Sequence, residues 1–233
     1  MGRLLKAINV REALLQVALD FTDLADAFKV IKKLINLDIG IFEVGTPLIK
    51  SRGVEAVTAV RSLLKPASLV LADMKTADVG ALEVTLAKRA GADITTVLLS
   101  SDDEVIKSSL EKGDELDVDI VIDTVGVRPR YLLERLEEVI NLGARVINIH
   151  TGIDVQLIRG LTARDSADLV RRLKNEYSDL LLSVSGGIKP EEVSLFRSAG
   201  ASIVVIGSAI TKSSDPHAAA LKALKLLQGL AHD

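Results

Sequence analysis

Short apolar segments alternate with amphipathic segments along the whole chain. The apolar segments predict eight strands, at Leu15–Leu19, Ile39–Val44, Leu69–Ala72, Ile94–Leu98, Ile120–Val125, Val146–Ile149, Leu180–Val184 and Ile203–Ile206. Their spacing of roughly 20 to 35 residues is what one strand, one helix and two loops require. Because the strands are apolar on both faces, they indicate a parallel sheet that is covered by helices.

Start and stop signals mark several of the intervening helices. Leu24–Leu34 opens after Asp23, a favoured cap residue, and Pro129–Leu142 begins with proline and is followed by Gly143. The same kind of signal predicts helices over Val54–Leu63 and from Pro190 to Ala199.

The eight strand–helix units predict an α/β fold, a closed (β/α)8 TIM barrel in a single domain. No linker or charge block divides the chain, and residues 1–14 form an N-terminal extension that we expect to close the barrel bottom with a short helix. A doubly wound open sheet is the alternative. The segment Ala18–Thr22 after the first strand lacks the glycine-rich turn of a dinucleotide-binding fold, which argues against that alternative.

Composition excludes several functional classes. The chain has 233 residues, a net charge of −3 and no cysteine. Disulfides, thiolate metal sites and a cysteine nucleophile are therefore excluded, and the net charge gives no general attraction for nucleic acid or anionic membranes. No apolar run approaches the ~20 residues that span a bilayer, and the first residues lack the pattern of a signal peptide. We expect a cytoplasmic protein with no nucleic-acid or membrane partner.

The densest group of charges follows the third predicted strand. Asp73, Lys75 and Asp78 place two carboxylates and an ammonium group at the exit of an apolar strand. Charges at such a place must be paired, metal-bound or used in chemistry, because burying a single charge costs several kcal/mol or more.

Other predicted strands also end in polar residues or glycines. These are Asp20, Glu43, Ser100, Ser101, Asp123, His150, Gly186, Gly187, Gly207 and Ser208. The carboxyl ends of the strands form the active site of a (β/α)8 barrel, so the set is a candidate site. Structural alternatives are a helix cap for Asp20, a satisfied buried carboxylate for Asp123 and a core histidine for His150. We interpret His217 and His232 as surface residues.

Two features of this set indicate a phosphorylated substrate and a metal ion. Gly186-Gly187 and Gly207-Ser208 leave backbone N–H groups unobstructed in the loops after strands seven and eight, where many barrels hold phosphate. Glu43 and Asp73 end adjacent strands and could jointly hold a hard divalent ion such as Mg²⁺. A metal ion beside a lysine suits chemistry that develops an enediolate.

The segment Asp73–Gly80 resembles the Asp-x-Lys-x-x-Asp signature of the orotidine 5′-monophosphate decarboxylase superfamily. The resemblance covers residues 15 to about 216, nearly the whole chain. The other similar segments are Leu15–Asp20, Phe42–Ile49, His150–Gly152 with Gln156, Ser183–Ile188 and Val205–Thr211.

Departures from the superfamily pattern narrow the activity that the resemblance implies. Glu43 stands where the nucleotide decarboxylase has a lysine, and is the residue of the metal-dependent branch that acts on sugar phosphates. The decarboxylase of that branch has an arginine soon after the sixth-strand histidine and another in the eighth loop, where this chain has Thr151–Asp154 and Ser208. The resemblance therefore implies an aldehyde-lyase that reversibly condenses formaldehyde with ribulose 5-phosphate to give 3-hexulose 6-phosphate.

The resemblance also implies roles for the candidate residues. Mg²⁺, or another hard ion such as Mn²⁺, is expected at Glu43 and Asp73. The other roles are Asp20 for sugar hydroxyls, Lys75 for enediolate charge, His150 for proton transfer, Asp123 for orienting the reacting carbon, and Gly186, Gly187, Gly207 and Ser208 for phosphate. Asp78 is expected to reach the neighbouring subunit's site, which implies a homodimer with shared active sites.

Three alternatives stay open. Lys75 could form a Schiff base, as in metal-free aldolases, although carboxylates on both sides favour its charged form. The chain could instead decarboxylate 3-keto-L-gulonate 6-phosphate or a related sugar phosphate. It could also bind a sugar phosphate as a non-catalytic sensor.

Overall fold

The computed structural model describes residues 2–11, 13–152 and 163–229. In these ranges eight parallel strands close a barrel in chain order, with β8 pairing with β1. The strands are β1 Leu14–Leu19, β2 Ile41–Val44, β3 Leu69–Thr76, β4 Ile94–Leu98, β5 Asp119–Asp123, β6 Val146–His150, β7 Leu181–Ser185 and β8 Ile203–Ile206. The helices are α1 Arg3–Arg11, α2 Leu24–Leu34, α3 Thr46–Arg52, α4 Glu55–Leu63, α5 Gly80–Arg89, α6 Asp103–Leu116, α7 Pro129–Asn141, α8 Ala163–Glu176, α9 Val193–Ala199, α10 Ser208–Thr211 and α11 Pro216–Leu227. Within the described ranges, every helix is too short or too polar to cross a membrane.

The predicted (β/α)8 barrel is confirmed, with a difference in the third strand that affects the site. β3 runs to Thr76, so Asp73 and Lys75 lie inside the strand rather than after it. Its pairing with β4 shifts register between Ala72 and Thr76. Such an irregularity changes the direction of side chains at a strand end, and here it falls on the charged residues.

Two helical segments also differ from the sequence prediction. α3 was not predicted; it starts at Thr46 directly after β2, with proline in its first turn. The helix predicted from Pro190 begins as a 3-10 turn over Pro190–Glu192 and continues as α9. Because α3 starts so close to β2, it brings the Thr46 side chain to the carboxyl end of the barrel.

The apolar core has two layers, one between the sheet and its surrounding helices and one inside the barrel. Leu4 and Ile8 of α1 belong to the inner layer, where they pack with inward-facing residues such as Leu69. The Leu4 N–H donates to Asp119 Oδ2 at 3.0 Å, which ties α1 to the start of β5. Helix α1 therefore covers the amino-terminal end of the barrel, and the carboxyl end is the open one.

Candidate active site

A cavity of about 400 Å³ lies at the carboxyl end of the barrel. Ten of the predicted site residues line it, namely Asp20, Glu43, Asp73, Lys75, Asp123, His150, Gly186, Gly187, Gly207 and Ser208. Asp78 does not; its side chain is exposed, and its Oδ1 accepts a hydrogen bond from the Val79 N–H at 2.7 Å. Each strand of the barrel contributes at least one residue to the lining, as the strand-end pattern predicted.

Three carboxylates, Asp20, Glu43 and Asp73, share one side of the cavity. Glu43 is buried, and its Oε2 accepts a hydrogen bond from Gln16 Nε2 at 2.7 Å. Burial and the negative charges of Asp73 and Asp20 together raise the pKa of Glu43 well above its usual value. Burial and Asp73 likewise raise the pKa of Asp20. This side of the cavity therefore favours an added positive charge.

Asp20 is accommodated because two glycines leave room for it. A Cβ atom on Gly45 would lie 2.1 Å from Asp20 Oδ1, and a Cβ on Gly207 would lie 3.3 Å from Asp20 Oδ2. Any larger residue at Gly45 would have to displace the carboxylate. Asp20 consequently stands between the Glu43 side of the cavity and the loop after β8.

Hydrogen bonds from two threonines hold Asp73. Thr46 Oγ1 donates to Asp73 Oδ2 at 2.6 Å, and Thr96 Oγ1 donates to Asp73 Oδ1 at 2.8 Å. Thr96 Oγ1 also accepts from the Lys75 N–H at 2.9 Å. Lys75 has a φ of +48°, which is unfavourable for a residue with a Cβ atom. The hydrogen bond from its N–H to Thr96 helps to hold the backbone in this conformation.

The Lys75 ammonium group bridges two carboxylates. Its Nζ lies 2.6 Å from Asp73 Oδ2 and 3.4 Å from Asp123 Oδ2. Burial opposes the charge on Lys75, but Asp73 and Asp123 outweigh burial and raise its pKa. Lys75 therefore stays protonated near neutral pH, which makes it a poor nucleophile and argues against a Schiff base.

His150 and Asp123 form a pair, and Asp123 is also the second carboxylate that contacts Lys75. His150 Nδ1 lies 3.1 Å from Asp123 Oδ1 and 3.0 Å from Oδ2. Burial disfavours the Asp123 charge, but His150, Lys75 and the Val125 N–H outweigh burial and lower the pKa of Asp123. An ionised carboxylate only accepts hydrogen bonds, so we assign the ring proton to Nδ1. Nε2 is then the atom of neutral His150 that can take up a proton.

The loops after β7 and β8 provide the glycine-rich side of the cavity. Gly186 and Gly187 have φ angles of +108° and +64°, a conformation that other residues rarely adopt. Gly207 precedes the short helix α10, and Ser208 and Lys212 line the cavity beside it. This side combines uncrowded backbone with a cationic side chain, and Asp20 separates it from Glu43 and Asp73.

Comparison with known proteins shows which family has this arrangement. The family model described as "Orotidine 5'-phosphate decarboxylase / HUMPS family" matches residues 13–223, which include all eight strands. The chain belongs to this family. The sequence resemblance to the orotidine 5′-monophosphate decarboxylase superfamily is thereby confirmed.

Relatives within this family are similar over nearly their whole length. The 3-hexulose-6-phosphate synthase of Mycobacterium gastri is 37% identical over 88% of this chain and 95% of the relative. The 3-hexulose-6-phosphate synthase of Methylomonas aminofaciens is 36% identical over 89% of this chain and 96% of the relative. A crystal structure of 3-hexulose-6-phosphate synthase from Salmonella typhimurium superposes with a TM-score of 0.85 at 33% identity, over 94% of this chain and 100% of that one.

A hard divalent cation fits this family member's site by the chemistry of its donors. Glu43 and Asp73 supply two carboxylates, with Asp20 close enough to raise the pKa of Glu43. Among the described residues no group of three or more His, Cys, Asp or Glu side chains has the geometry of a metal site. A cation held by two carboxylates needs substrate oxygens and water to complete its shell, which is how Mg²⁺ is commonly bound.

Sequence reasoning did not identify several polar residues of the cavity. They are Gln16, Thr46, Thr96, Asn148, Ser183, Thr211 and Lys212. For strand four, Ser100 and Ser101 were candidates, and this was wrong for the cavity: neither lines it, and Ser101 donates to the Thr76 carbonyl at 3.1 Å. Thr96 is the β4 residue in the cavity, because inward-facing strand residues alternate. Gln156 and His232 lie outside the described residues.

Proposed function

We propose that this chain is an aldehyde-lyase that reversibly condenses formaldehyde with ribulose 5-phosphate to form 3-hexulose 6-phosphate. The observation that carries the proposal is one cavity in which Glu43 and Asp73 face a glycine-rich side suited to phosphate. The similarity to relatives named 3-hexulose-6-phosphate synthase supports the same activity. It also supports a lyase over a non-catalytic sugar-phosphate sensor.

His150 would move the proton that the reaction requires. Its Nε2 would take a proton from C1 of ribulose 5-phosphate, leaving an enediolate across C1 and C2. C1 would then attack the carbon of formaldehyde, and the same proton would return to the formaldehyde oxygen as the new carbon–carbon bond forms. Asp123 would keep Nδ1 protonated and hold the ring in place, since the two side chains are 3.0 Å apart.

The negative charge of the enediolate would be stabilised with the help of Lys75, Glu43 and Asp73. The Lys75 ammonium group is charged and fixed by two carboxylates, so it can donate a hydrogen bond to the developing oxyanion without reorganising. Glu43 and Asp73 would hold Mg²⁺ or Mn²⁺. When bound, such an ion polarises the ketose carbonyl and offsets the developing charge. Asp20 would bind a sugar hydroxyl, and the Gly187 and Gly207 loops would receive the phosphate.

An assay with two substrates tests the proposed activity. We expect formaldehyde to be consumed with ribulose 5-phosphate, and formaldehyde to be released from 3-hexulose 6-phosphate. Activity should disappear on chelation with EDTA and return on adding Mg²⁺ or Mn²⁺. Faster CO₂ release from 3-keto-L-gulonate 6-phosphate than formaldehyde turnover would instead make the chain a decarboxylase.

Asp123→Asn tests the pairing of Asp123 with His150. An asparagine amide can donate to Nδ1, which places the ring proton on Nε2 and removes the base. We expect kcat to fall by about 10²- to 10⁴-fold with little change in KM, measured across a pH series. Asp119→Asn, at the other end of β5, is the matched control and should affect stability rather than kcat. Equal kcat values for Asp123→Asn and the wild type would contradict a proton-transfer role for this pair.

The proposal includes a homodimer in which Asp78 reaches into the partner's active site. Asp78 lies outside its own cavity, and the nearby Val79 and Leu82 side chains are 52% and 56% exposed. Exposed apolar side chains beside an exposed carboxylate suit an interface. Sedimentation should give a dimer, and mixing inactive Asp78→Asn and Lys75→Met chains should restore part of the activity. A fully active monomer would contradict shared sites.

A further inference from the structure

Asn148 is a buried cavity residue whose amide group is only half paired. The residue is 8% exposed, and its Nδ2 donates to Ser185 Oγ at 2.9 Å. Asn148 Oδ1 is buried and receives no hydrogen bond from the described residues. Every other buried side-chain nitrogen or oxygen atom of the described residues has a hydrogen-bond partner. A buried acceptor without a donor is costly, so its presence calls for a physical reason.

Asn148 lies at the boundary between the apolar interior of the barrel and the cavity. It lies on β6 between Val146, which belongs to the apolar interior, and His150, which belongs to the cavity. In the barrel register it pairs with Asp123 on β5 and Ser183 on β7. An apolar side chain at this level would continue the layer of Val146 at no electrostatic cost. The amide instead begins the polar part of the cavity, beside the strand that carries Asp123.

The unpaired amide oxygen of Asn148 limits the kind of ligand that can form a hydrogen bond with it. An amide oxygen needs a donor, which phosphate oxygens at neutral pH largely do not provide, whereas a sugar hydroxyl does. If the amide is turned over, Ser185 would donate to Oδ1 and the unpaired group would be Nδ2–H. A hydroxyl both donates and accepts, so it fits either orientation.

We propose that Asn148 is a specificity-determining residue that hydrogen-bonds a hydroxyl group of the bound sugar phosphate. The inference rests on the proposed function, because it requires a polyhydroxylated phosphate ester in the cavity. Such a molecule would extend from the loops after β7 and β8 toward Lys75 and pass the wall formed by β5, β6 and β7. Asn148 lies in the middle strand of that wall, between Asp123 and Ser183.

Asn148→Leu tests this role, since leucine has nearly the same shape and cannot hydrogen-bond. We expect calorimetry to show about 10-fold weaker binding of ribulose 5-phosphate and unchanged binding of inorganic phosphate. KM for ribulose 5-phosphate should rise by a similar factor. Thr95→Val is the matched control: its hydroxyl is fully buried and donates to the Ala72 carbonyl at 3.0 Å, yet it does not line the cavity. It should bind both ligands as the wild type does.

A second variant and a set of analogues make the outcome decisive. Asn148→Ala should show the same selective loss, which separates the missing hydrogen bond from crowding by leucine. Among monodeoxy ribulose 5-phosphates, one should bind the wild type and Asn148→Leu equally, which identifies the hydroxyl concerned. Wild-type affinity for ribulose 5-phosphate in both variants, or a lower Tm with unchanged affinity, would overturn the inference and make the amide structural.

The two proposals fail in different ways. If the wild type shows no formaldehyde chemistry but Asn148→Leu still loses affinity for ribulose 5-phosphate and not for phosphate, the proposed activity fails and the role of Asn148 holds. If the wild type condenses formaldehyde and Asn148→Leu has the same KM, the activity holds and the role of Asn148 fails. If the wild type binds no sugar phosphate, both are overturned.

Discussion

Glu43→Gln is expected to lower kcat by about 10³-fold while the variant still binds phosphate and sugar phosphate. The substitution keeps the size of the side chain and its contact with Gln16 but removes one of the two carboxylates proposed to hold the cation. The loss should appear in kcat for both formaldehyde condensation and release. Glu55→Gln, on the exposed face of α4, is the matched control and should leave kcat unchanged.

The same variant should respond differently to divalent ions. Glu43 is a buried carboxylate close to Asp20 and Asp73, so removing its charge should relieve repulsion in metal-free buffer. We expect the Tm of Glu43→Gln to exceed that of the wild type there, by about 2–4 °C for each kcal/mol relieved. Adding Mg²⁺ should raise the wild-type Tm and affect the variant less. Full turnover by Glu43→Gln, or an equal response of both Tm values to Mg²⁺, would contradict a metal-binding role.

Lys75→Met is expected to lower kcat by about 10²- to 10³-fold, because it removes a fixed donor for the enediolate oxygen. Asp73 and Asp123 would also lose the ammonium group that lies between them. The effect should fall on kcat for formaldehyde condensation more than on KM for ribulose 5-phosphate. Lys222→Met is the matched control, since Lys222 pairs with Glu191 on the outer surface.

A trapping experiment separates the charge of Lys75 from covalent chemistry. Borohydride treatment of the wild type with ribulose 5-phosphate should give no covalent adduct, because Lys75 is held in its protonated form. An adduct in the wild type that is missing in Lys75→Met would overturn this assignment and establish a Schiff-base route. A change in KM alone would make Lys75 a binding residue.

The sequence predicted the barrel and much of the cavity because charges interrupt apolar strands. Glu43 sits among aliphatic and aromatic residues of β2, and His150 ends an apolar β6, so each was visible against its neighbours. The order of the strands around the barrel follows the order of the chain, which is why the residues at their ends could be grouped. The role of Asp78 at a partner's site stays a prediction.

The hydrogen-bond partners were not predictable in the same way. Thr96 and Asn148 lie within β4 and β6, where threonine is an ordinary strand residue and a single asparagine gives no periodic signal. Thr46 was missed because α3 itself was not predicted. Which side chain meets Asp73 depends on the register between strands and on the irregularity in β3, and neither can be read from one strand at a time.

The closure of the amino-terminal end by α1 has a consequence for how this chain can change over evolution. Leu4 and Ile8 support the barrel from the end opposite the cavity, and neither of them lines it. Substitutions at cavity positions such as Ser208 or Asn148 leave those apolar contacts intact. Substrate preference can thus diverge while the folding free energy is supplied elsewhere, which allows one scaffold to host related sugar-phosphate chemistries.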